Sequence, residues 1–298
     1  MKKIICILSA SVMLLAKPAY AVSINSDVGL TPAKDQTIVR VQSRYKKVSD
    51  DPTTLDRETK TLVVPVTVVY GFTERLAGIV SVPWIYRRHK TLSGTEKITR
   101  KIEGLGDISL LGKYRIYTRD EVGVTSRLSV ISGFELPTGR TGDEDAHGKL
   151  PRTLQAGSGA VDGILGLAFT HQTLDDEWDT NLTYQWNNEA NDFEFGDVFK
   201  YTLAYQKGVL PWVLPEEGMY QQLNLVLELN GEWQQKHEDQ SGTVADSGGH
   251  TIYVSPGLQM VSKRWVAEAS IQLPVYQDLN GSQVETDYTV VASLRFTF

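Results

Sequence analysis

The chain is poor in cysteine, in long apolar runs and in positive charge. Its 298 residues include one cysteine, Cys6, so disulfide bonds cannot hold the rest of the chain together. One stretch, residues 4–15, is predominantly apolar, and it is shorter than the roughly 20 residues that a membrane-spanning helix needs. Basic residues number 30 against 36 acidic ones, which argues against a nucleic-acid ligand.

The N-terminus has the layout of a secretory signal peptide. Two lysines precede the apolar stretch, and Ala19-Tyr20-Ala21 places small residues at the spacing of a cleavage site. We predict a signal peptide over residues 1–21, cut between Ala21 and Val22. The mature chain then has no cysteine, and the loss of three lysines from 30 basic residues leaves 27 against 36 acidic ones, a formal net charge of −9. Burial and backbone hydrogen bonds must hold this exported chain together.

Hydrophobicity alternates with a period of two residues through most of the mature chain. Segments of about 10–15 such residues, separated by turn residues, are typical of transmembrane β-barrel strands. We therefore predict an all-β fold, a single antiparallel barrel of about 12 strands over residues 36–298, after a periplasmic segment, 22–35, that either plugs the barrel or hangs free. The predicted strands lie near 36–47, 61–72, 76–88, 106–118, 123–137, 159–171, 178–188, 197–208, 222–234, 250–261, 265–277 and 286–298.

Loop lengths and tryptophan positions agree with a barrel. Connections after odd-numbered strands are long and polar, whereas those after even-numbered strands are mostly short, with 209–221 as the exception. A barrel with both termini in the periplasm predicts this asymmetry. Five of the six tryptophans lie near predicted strand ends, where the aromatic girdles of outer-membrane barrels are found.

The last predicted strand is apolar on one parity up to residue 298. We expect this parity to contact outer-membrane lipid, and we expect the last strand to pair with the first, because an open sheet edge in hydrocarbon leaves backbone groups unpaired. A terminal phenylalanine on such a strand resembles the assembly signal of bacterial outer-membrane proteins, which implies recognition by the barrel-assembly machinery. The residues that carry this resemblance are Tyr288, Leu294, Phe296 and Phe298.

Four short motifs resemble one family of bacterial proteins. They are GLGD within 103–117, LPTG within 129–140, GSGAVDG at 157–163, and PVYQDLNG ahead of the last strand. Together they resemble the outer-membrane proteins grouped under the meta-pathway of phenol degradation, although the resemblance is patchy between 172 and 250. It implies an outer-membrane location and a barrel that passes small molecules, with hydrophobic or aromatic ones among the candidates; it does not specify the solute.

The parity opposite the apolar one is predicted to line the lumen. Charges inside a barrel must be paired or hydrated. Two arrangements stay open: a water-filled pore whose charges set selectivity, or a narrow barrel closed by salt bridges. Candidate lumen residues are Arg40, Arg44, Asp107, Lys113, Arg115, Arg127, Glu135, Asp162, Glu228, Glu268, Gln272 and Arg295.

Prolines fall inside or at the ends of predicted strands, where each removes a ladder hydrogen bond. They mark either tolerated strand ends and bulges or points where the wall opens sideways to lipid. They are Pro65, Pro83, Pro137, Pro256 and Pro274.

Three functions are compatible with these patterns. A channel or transporter for small molecules is favoured over a closed structural or adhesive barrel that acts through its loops. An outer-membrane hydrolase is disfavoured, because the five histidines lie at strand ends or in loops and in no hydrolase motif. No phosphate loop, CxxC or HExxH is present, so we expect neither an enzyme nor a metal or cofactor site.

Overall fold

The period-two segments form β-strands in the computed structural model, which describes residues 23–211 and 221–298. Within those residues, twelve strand positions form one antiparallel ring, which confirms the predicted fold. The predicted signal peptide and its cleavage between Ala21 and Val22 lie outside the described residues. The strands are β1 (Thr37–Asp50), β2 (Glu58–Gly71), β3 (Leu76–Ser93), β4 (Glu96–Leu105 and Ile108–Glu121), β5 (Val124–Leu136), β6 (Asp162–Gln172), β7 (Asp176–Trp186), β8 (Val198–Leu210), β9 (Gln221–Gln234), β10 (Gly249–Ser262), β11 (Trp265–Leu279) and β12 (Glu285–Thr297).

The ring closes between β1 and β12. Consecutive strands are neighbours, and β1 pairs with both β2 and β12. At this seam the backbone N–H of Thr37 donates to the carbonyl of Phe298 at 3.1 Å, and the N–H of Phe298 donates to the carbonyl of Thr37 at 2.9 Å. Every strand of the described ring therefore has two neighbours, as backbone groups in hydrocarbon require.

Side chains alternate between an apolar outer face and a mostly polar inner face. On β9, Leu225, Leu227 and Leu229 are exposed, whereas Asn224 and Glu228, which have the opposite parity, are buried in the interior. This follows from strand geometry, in which successive side chains point to opposite faces. The four residues of the predicted assembly signal share the outer face of β12: Tyr288, Leu294, Phe296 and Phe298.

The third connection differs from the prediction of a long polar loop over 89–105. β3 continues to Ser93, and the chain turns back at once into the outer half of β4, which starts at Glu96. This hairpin extends past the apolar belt, so charged residues occupy its outer face and hide the period-two signal. Only Ile98 and Ile102, on the inner face, could have revealed the strand.

Small ordered elements occupy the loops at the long-loop end. One hairpin joins Glu144–Asp145 to Gly148–Lys149, and a 3₁₀ turn follows at Arg152–Leu154. A second small sheet combines Phe193–Glu194, Glu238–Asp239 and Gly242–Thr243. In the described part of the chain, no helix is long and apolar enough to cross a membrane.

Candidate functional site: the barrel lumen

A cavity of about 970 Å³ lies inside the barrel. Its surface is formed by inward-facing residues of β1–β5 on one side and of β7–β12 on the other, together with the N-terminal residues 24–32. Seven of the predicted lumen residues lie on this surface: Arg40, Arg44, Asp107, Lys113, Glu135, Gln272 and Arg295.

One side of the cavity is apolar. We call it the apolar wall, and it is built mainly from β2 and β3. It explains why residues 61–72 are apolar on both faces: Val64 and Val66 face outward, whereas Val63 and Pro65 face the cavity. The apolar wall consists of Ile38, Val63, Pro65, Val69, Ile79, Pro83 and Leu111.

The opposite side is polar, and Glu268 is the centre of its hydrogen-bond network. The buried carboxylate of Glu268 accepts from Arg40 and lies 3.3 Å from the guanidinium of Arg295. It also accepts from the hydroxyl of Ser293 and, at 2.9 Å, from the amide of Gln259. A buried carboxylate needs such compensation, so this cluster holds four strands together, β1, β10, β11 and β12, rather than presenting a free charge to a solute.

The N-terminal segment lies inside the barrel. The sequence left open whether it plugs the lumen or hangs in the periplasm, and the structure places Ile24 fully buried against Val226 and Val291. The segment is not part of the sheet, so barrel side chains satisfy its backbone groups. Arg40 and Gln42, for example, both donate to the carbonyl of Ile24. Part of the lumen is therefore filled by the chain itself.

Two buried carboxylates hold this segment. Glu228 accepts from the backbone N–H of Ile24 at 2.6 Å and of Asn25 at 3.2 Å. Asp179 accepts from the N–H and hydroxyl of Ser23. Both carboxylates are used in this way, and neither Glu228 nor Asp179 forms part of the described cavity surface. Glu268, which is used within its own network, is not part of that surface either.

Further along, the segment crosses to the other side of the lumen. The N–H of Gly29 donates to Thr170 at 2.9 Å, and its carbonyl accepts from the hydroxyl of Ser129 at 2.7 Å. The ammonium of Lys113, almost fully buried, lies 4.0 Å from Asp27. The segment thus binds β4, β5 and β6 as well as β7 and β9.

The glycine-rich motifs singled out in the sequence meet at one place near the long-loop end. Asp107 accepts from the N–H of Gly139 at 2.8 Å and from the N–H of Ser158 at 2.6 Å. A Cβ on Gly157 would lie 2.5 Å from the carbonyl oxygen of Gly139, so these two backbones approach as only glycines allow. GLGD, LPTG and GSG therefore form one clamp that fixes loop 137–161 over the rim.

The remaining candidates have other partners. Asp162 is buried and accepts from the N–H of Asn188 at 2.8 Å, so it fixes the start of the loop after β7. Arg127 pairs with Asp120 at 2.6 Å near the short-turn end. Arg115 faces inward on β4 but does not reach the described cavity surface.

Residue Arg87 lines the cavity but was absent from the predicted set. Its guanidinium donates to the carbonyls of Thr153 at 2.6 Å and Gln155 at 3.2 Å, and so ties β3 to loop 137–161. The alternation along β3 places Arg87 on the inner face. Because the strand was predicted to end at residue 88, Arg87 was interpreted as a charge at a strand end and not as a lumen residue.

Two prolines interrupt the ladder of the wall. Pro65 and Pro83 lie opposite each other on β2 and β3. The β1–β2 register has no residue pairs between Val41–Val66 and Arg44–Val63, which is where Pro65 falls. Proline lacks the N–H that the ladder uses, so the interruption follows from its chemistry.

The interruption at Pro65 coincides with a groove on the lipid-facing side. The groove has a volume of about 510 Å³, and its lining combines small residues such as Ser43 and Ala292 with larger apolar ones such as Leu258. Glu268 also lies on its surface. Gln42 lines both this groove and the interior cavity. The wall between lumen and lipid is thus thin at this place.

The closed ring, apolar outside and mostly polar inside, defines a transmembrane β-barrel protein with a partly filled lumen. The chain belongs to the family described as "Putative MetA-pathway of phenol degradation", whose model matches residues 43–279. A search of the curated proteins found no match.

Solved barrels share the fold. An outer membrane channel from Pseudomonas putida F1 superposes with a TM-score of 0.71 at 14% identity, covering 93% of this chain and 100% of the channel. The match to the NanC porin covers 87% of this chain and 98% of the porin, at 9% identity and a TM-score of 0.45. The match to the beta domain of the Bordetella autotransporter BrkA covers 88% of this chain and 99% of that domain, at 10% identity and a TM-score of 0.44. The last two similarities are too distant to support an argument.

Proposed function

We propose that this protein is an outer-membrane channel for small molecules with an apolar part and a polar part. The observation that carries the proposal is the two-sided cavity, in which the apolar wall faces Gln272, Arg44 and other polar groups across about 970 Å³ of space. Binding cavities of this size and mixed lining suit small organic ligands. Family membership and the fold shared with an outer membrane channel support the same function.

A test of the channel uses flux through refolded protein in lipid vesicles. The triple variant Val63→Thr, Val69→Thr and Ile79→Thr keeps side-chain size close to the original while making the apolar wall polar. We expect it to slow the flux of a small aromatic alcohol several-fold and to leave single-channel ion conductance equal or higher. The reverse variant, Thr61→Val with Thr67→Val, changes inward residues of the same strand and is expected to speed the aromatic flux.

Equal loss of aromatic flux and ion conductance in the triple variant would contradict an apolar route. A barrel that is folded and inserted but passes neither ions nor the aromatic alcohol would support the second candidate, a closed structural or adhesive barrel. That candidate has one observation in its favour, the Glu268 network and N-terminal segment that fill part of the lumen.

We also propose that apolar solutes leave sideways through the thin wall at Pro65. Ser43 and Val64 face each other across the ladder interruption, between the Val41–Val66 and Arg44–Val63 pairs. In the variant Ser43→Cys with Val64→Cys, a disulfide would link β1 to β2 across the interruption and keep this wall closed. The mature chain contains no competing cysteine. We expect oxidation to stop aromatic flux, reduction to restore it, and ion conductance to stay constant.

The matched control staples an intact part of the ladder. Leu203 and Leu229 are register partners on β8 and β9, and both face outward. A Leu203→Cys and Leu229→Cys disulfide should leave flux unchanged. If the oxidised Ser43→Cys, Val64→Cys variant kept its aromatic flux, the solute would have to leave along the barrel axis instead.

A further inference from the structure

A group of cations lies on the outer face of the barrel at the long-loop end of β1–β4, and we call it the basic rim. Four of its members form one row across neighbouring strands, because Lys47 lies opposite Lys60, Lys60 opposite Arg88, and Arg88 opposite Lys101. All four face the outside of the barrel, as Val64 does. The basic rim comprises Lys47, Lys60, Arg88, Lys90, Lys97 and Lys101.

The centre of the basic rim has more positive than negative charge. Like charges directly opposite each other destabilise a sheet. Glu58 serves three of the cations, with its carboxylate 3.1 Å from Lys60, 3.4 Å from Lys90 and 3.9 Å from Arg88. Lys101 has no ion pair among the described residues.

The edges of the basic rim are better compensated. Lys47 lies 3.6 Å from Asp287, and Lys97 lies 2.7 Å from Asp56. Glu103 faces outward one row below Lys101. The rim as a whole therefore has six cations against four carboxylates, in a mature chain whose net charge is negative.

The position of the basic rim matches the boundary between acyl chains and headgroups. The row directly below it contains Tyr45, Leu62 and Tyr86, which are register partners on β1, β2 and β3. The next row contains Val64 opposite Trp84. Tyrosine and tryptophan mark the membrane interface in such barrels, so the cations start where the apolar belt ends.

The opposite side of the same rim lacks this charge. In the described strands β7–β11, five outward residues near the long-loop end are aromatic or imidazole side chains and none of them is a lysine or arginine: Trp186, Phe199, Trp233, His250 and Tyr276. The basic rim is thus a local feature of four strands and not a general property of the barrel end.

We propose that the basic rim binds the phosphorylated headgroup of the glycolipid of the outer leaflet, lipopolysaccharide. Four adjacent strands span roughly 14 Å at the usual strand spacing, which suits a headgroup with more than one phosphate better than a single phosphate. Arginine and lysine pair strongly with phosphate oxygens, and a bound headgroup would remove the like-charge repulsion within the row. The inference rests on the outer-membrane location and on the long loops facing outward.

Native mass spectrometry of the mature protein, titrated with bisphosphorylated lipid A, tests the proposal. The variant Lys60→Gln, Arg88→Gln and Lys101→Gln removes three rim cations and is expected to weaken binding about 100-fold, from the gain that each cation near an anionic surface contributes. Lipid A with one phosphate should bind the unchanged protein more weakly. The variant Lys60→Arg with Lys101→Arg should bind as the unchanged protein does.

A matched control removes the same charge at the other end of the barrel. Arg119, Lys263 and Arg264 are exposed at the short-turn end, and Arg119→Gln, Lys263→Gln and Arg264→Gln together should leave lipid A binding unchanged. Equal weakening by both triple variants would overturn the proposal, since attraction would then depend on net charge alone. Unchanged binding by the rim variant would overturn it as well.

Discussion

Single residues inside this barrel act mainly by satisfying other buried groups. Glu268 is the clearest case, because Arg40 and Arg295 both depend on it. We expect Glu268→Gln to lower the free energy of unfolding by about 3–5 kcal/mol, the usual effect of removing one partner from a buried ion pair. Urea unfolding of the inserted barrel measures it, with Glu189→Gln on an exposed loop as the control. A loss no larger than that of the control would mean that water solvates the two arginines.

The clamp at the long-loop end makes a second prediction for a single residue. Gly157→Ala would place a Cβ 2.5 Å from the carbonyl oxygen of Gly139, whereas Gly142→Ala in the same loop meets nothing within 4 Å. We expect Gly157→Ala to expose loop 137–161 to protease and Gly142→Ala to leave it protected. Similar cleavage of both variants would show that the close approach is not needed.

His237 makes the long-loop end sensitive to pH. Its ring is nearly buried between Phe193 and Phe195, and its Nδ1 accepts from the N–H of Gly196 at 2.9 Å. Burial lowers the pKa of His237 below its usual value near 6.5. The unfolded loop then binds a proton before the folded one does, so loop stability is complete above about pH 6.5 and falls as the pH drops below it.

Hydrogen exchange of the Gly196 amide at pH 5.5 and pH 7.5, corrected for intrinsic rates, measures this effect, and we expect less protection at pH 5.5. The loop after β1 is the internal control. Hydrogen bonds from Arg57 lower the pKa of Asp51, so its carboxylate remains ionised at both pH values and its stability is lost only at much lower pH. Equal loss of protection in both loops would point to a general effect of acid.

At the scale of elements, the strands were predictable and the N-terminal segment was not. Period-two alternation identified most of the twelve strand positions, because lipid outside and polar groups inside impose that period, whereas residues 61–72 are apolar on both faces. It missed residues 96–105, where the hairpin extends past the apolar belt and charged residues occupy its outer face. The segment 23–35 has no period at all, since its position depends on contacts with strands more than 100 residues away.

The candidate site was only partly readable for the same reason. Parity identified inward residues such as Arg40 and Glu268, but it could not distinguish those that face the cavity from those covered by the N-terminal segment. The sequence showed residues 61–72 as a strand that is apolar on both faces, a pattern that fits a buried strand of a soluble protein equally well, so it did not predict the apolar wall. In a barrel, that pattern indicates an apolar lumen, which is the interpretation that residues 61–72 now support.

The N-terminal segment makes its own prediction. Deletion of residues 23–29 removes its contacts with Glu228 and Thr170, and we expect single-channel conductance to rise several-fold because the lumen widens. Unchanged conductance in a folded deletion variant would locate the constriction elsewhere, at loop 137–161.

A locked variant serves as the control for that deletion. Asn25→Cys and Ser270→Cys replace two residues whose side chains are 3.2 Å apart, and their disulfide would hold the segment in place. Conductance of the oxidised form should stay at the low level of the unchanged protein.

The whole molecule is asymmetric around the barrel axis. Strands β1–β4 carry the apolar wall, the interrupted ladder at Pro65 and the basic rim, whereas β7–β12 carry most of the buried polar network. Solute, lipid and lateral exit would then all meet on one side of the barrel. The Glu268 network lies directly beside this side, because its partner Arg40 is on β1, and it ties β1 to β10, β11 and β12.

The path of the N-terminal segment has a consequence for folding kinetics. Its hydrogen bonds to β5, β6, β7, β9 and β11 join residues separated by 100 to 245 positions along the chain, and contacts of such long range form slowly. The strands that supply its partners must already be paired before those bonds exist. We therefore expect docking of the segment to be a late step that follows insertion of a barrel with a wider lumen.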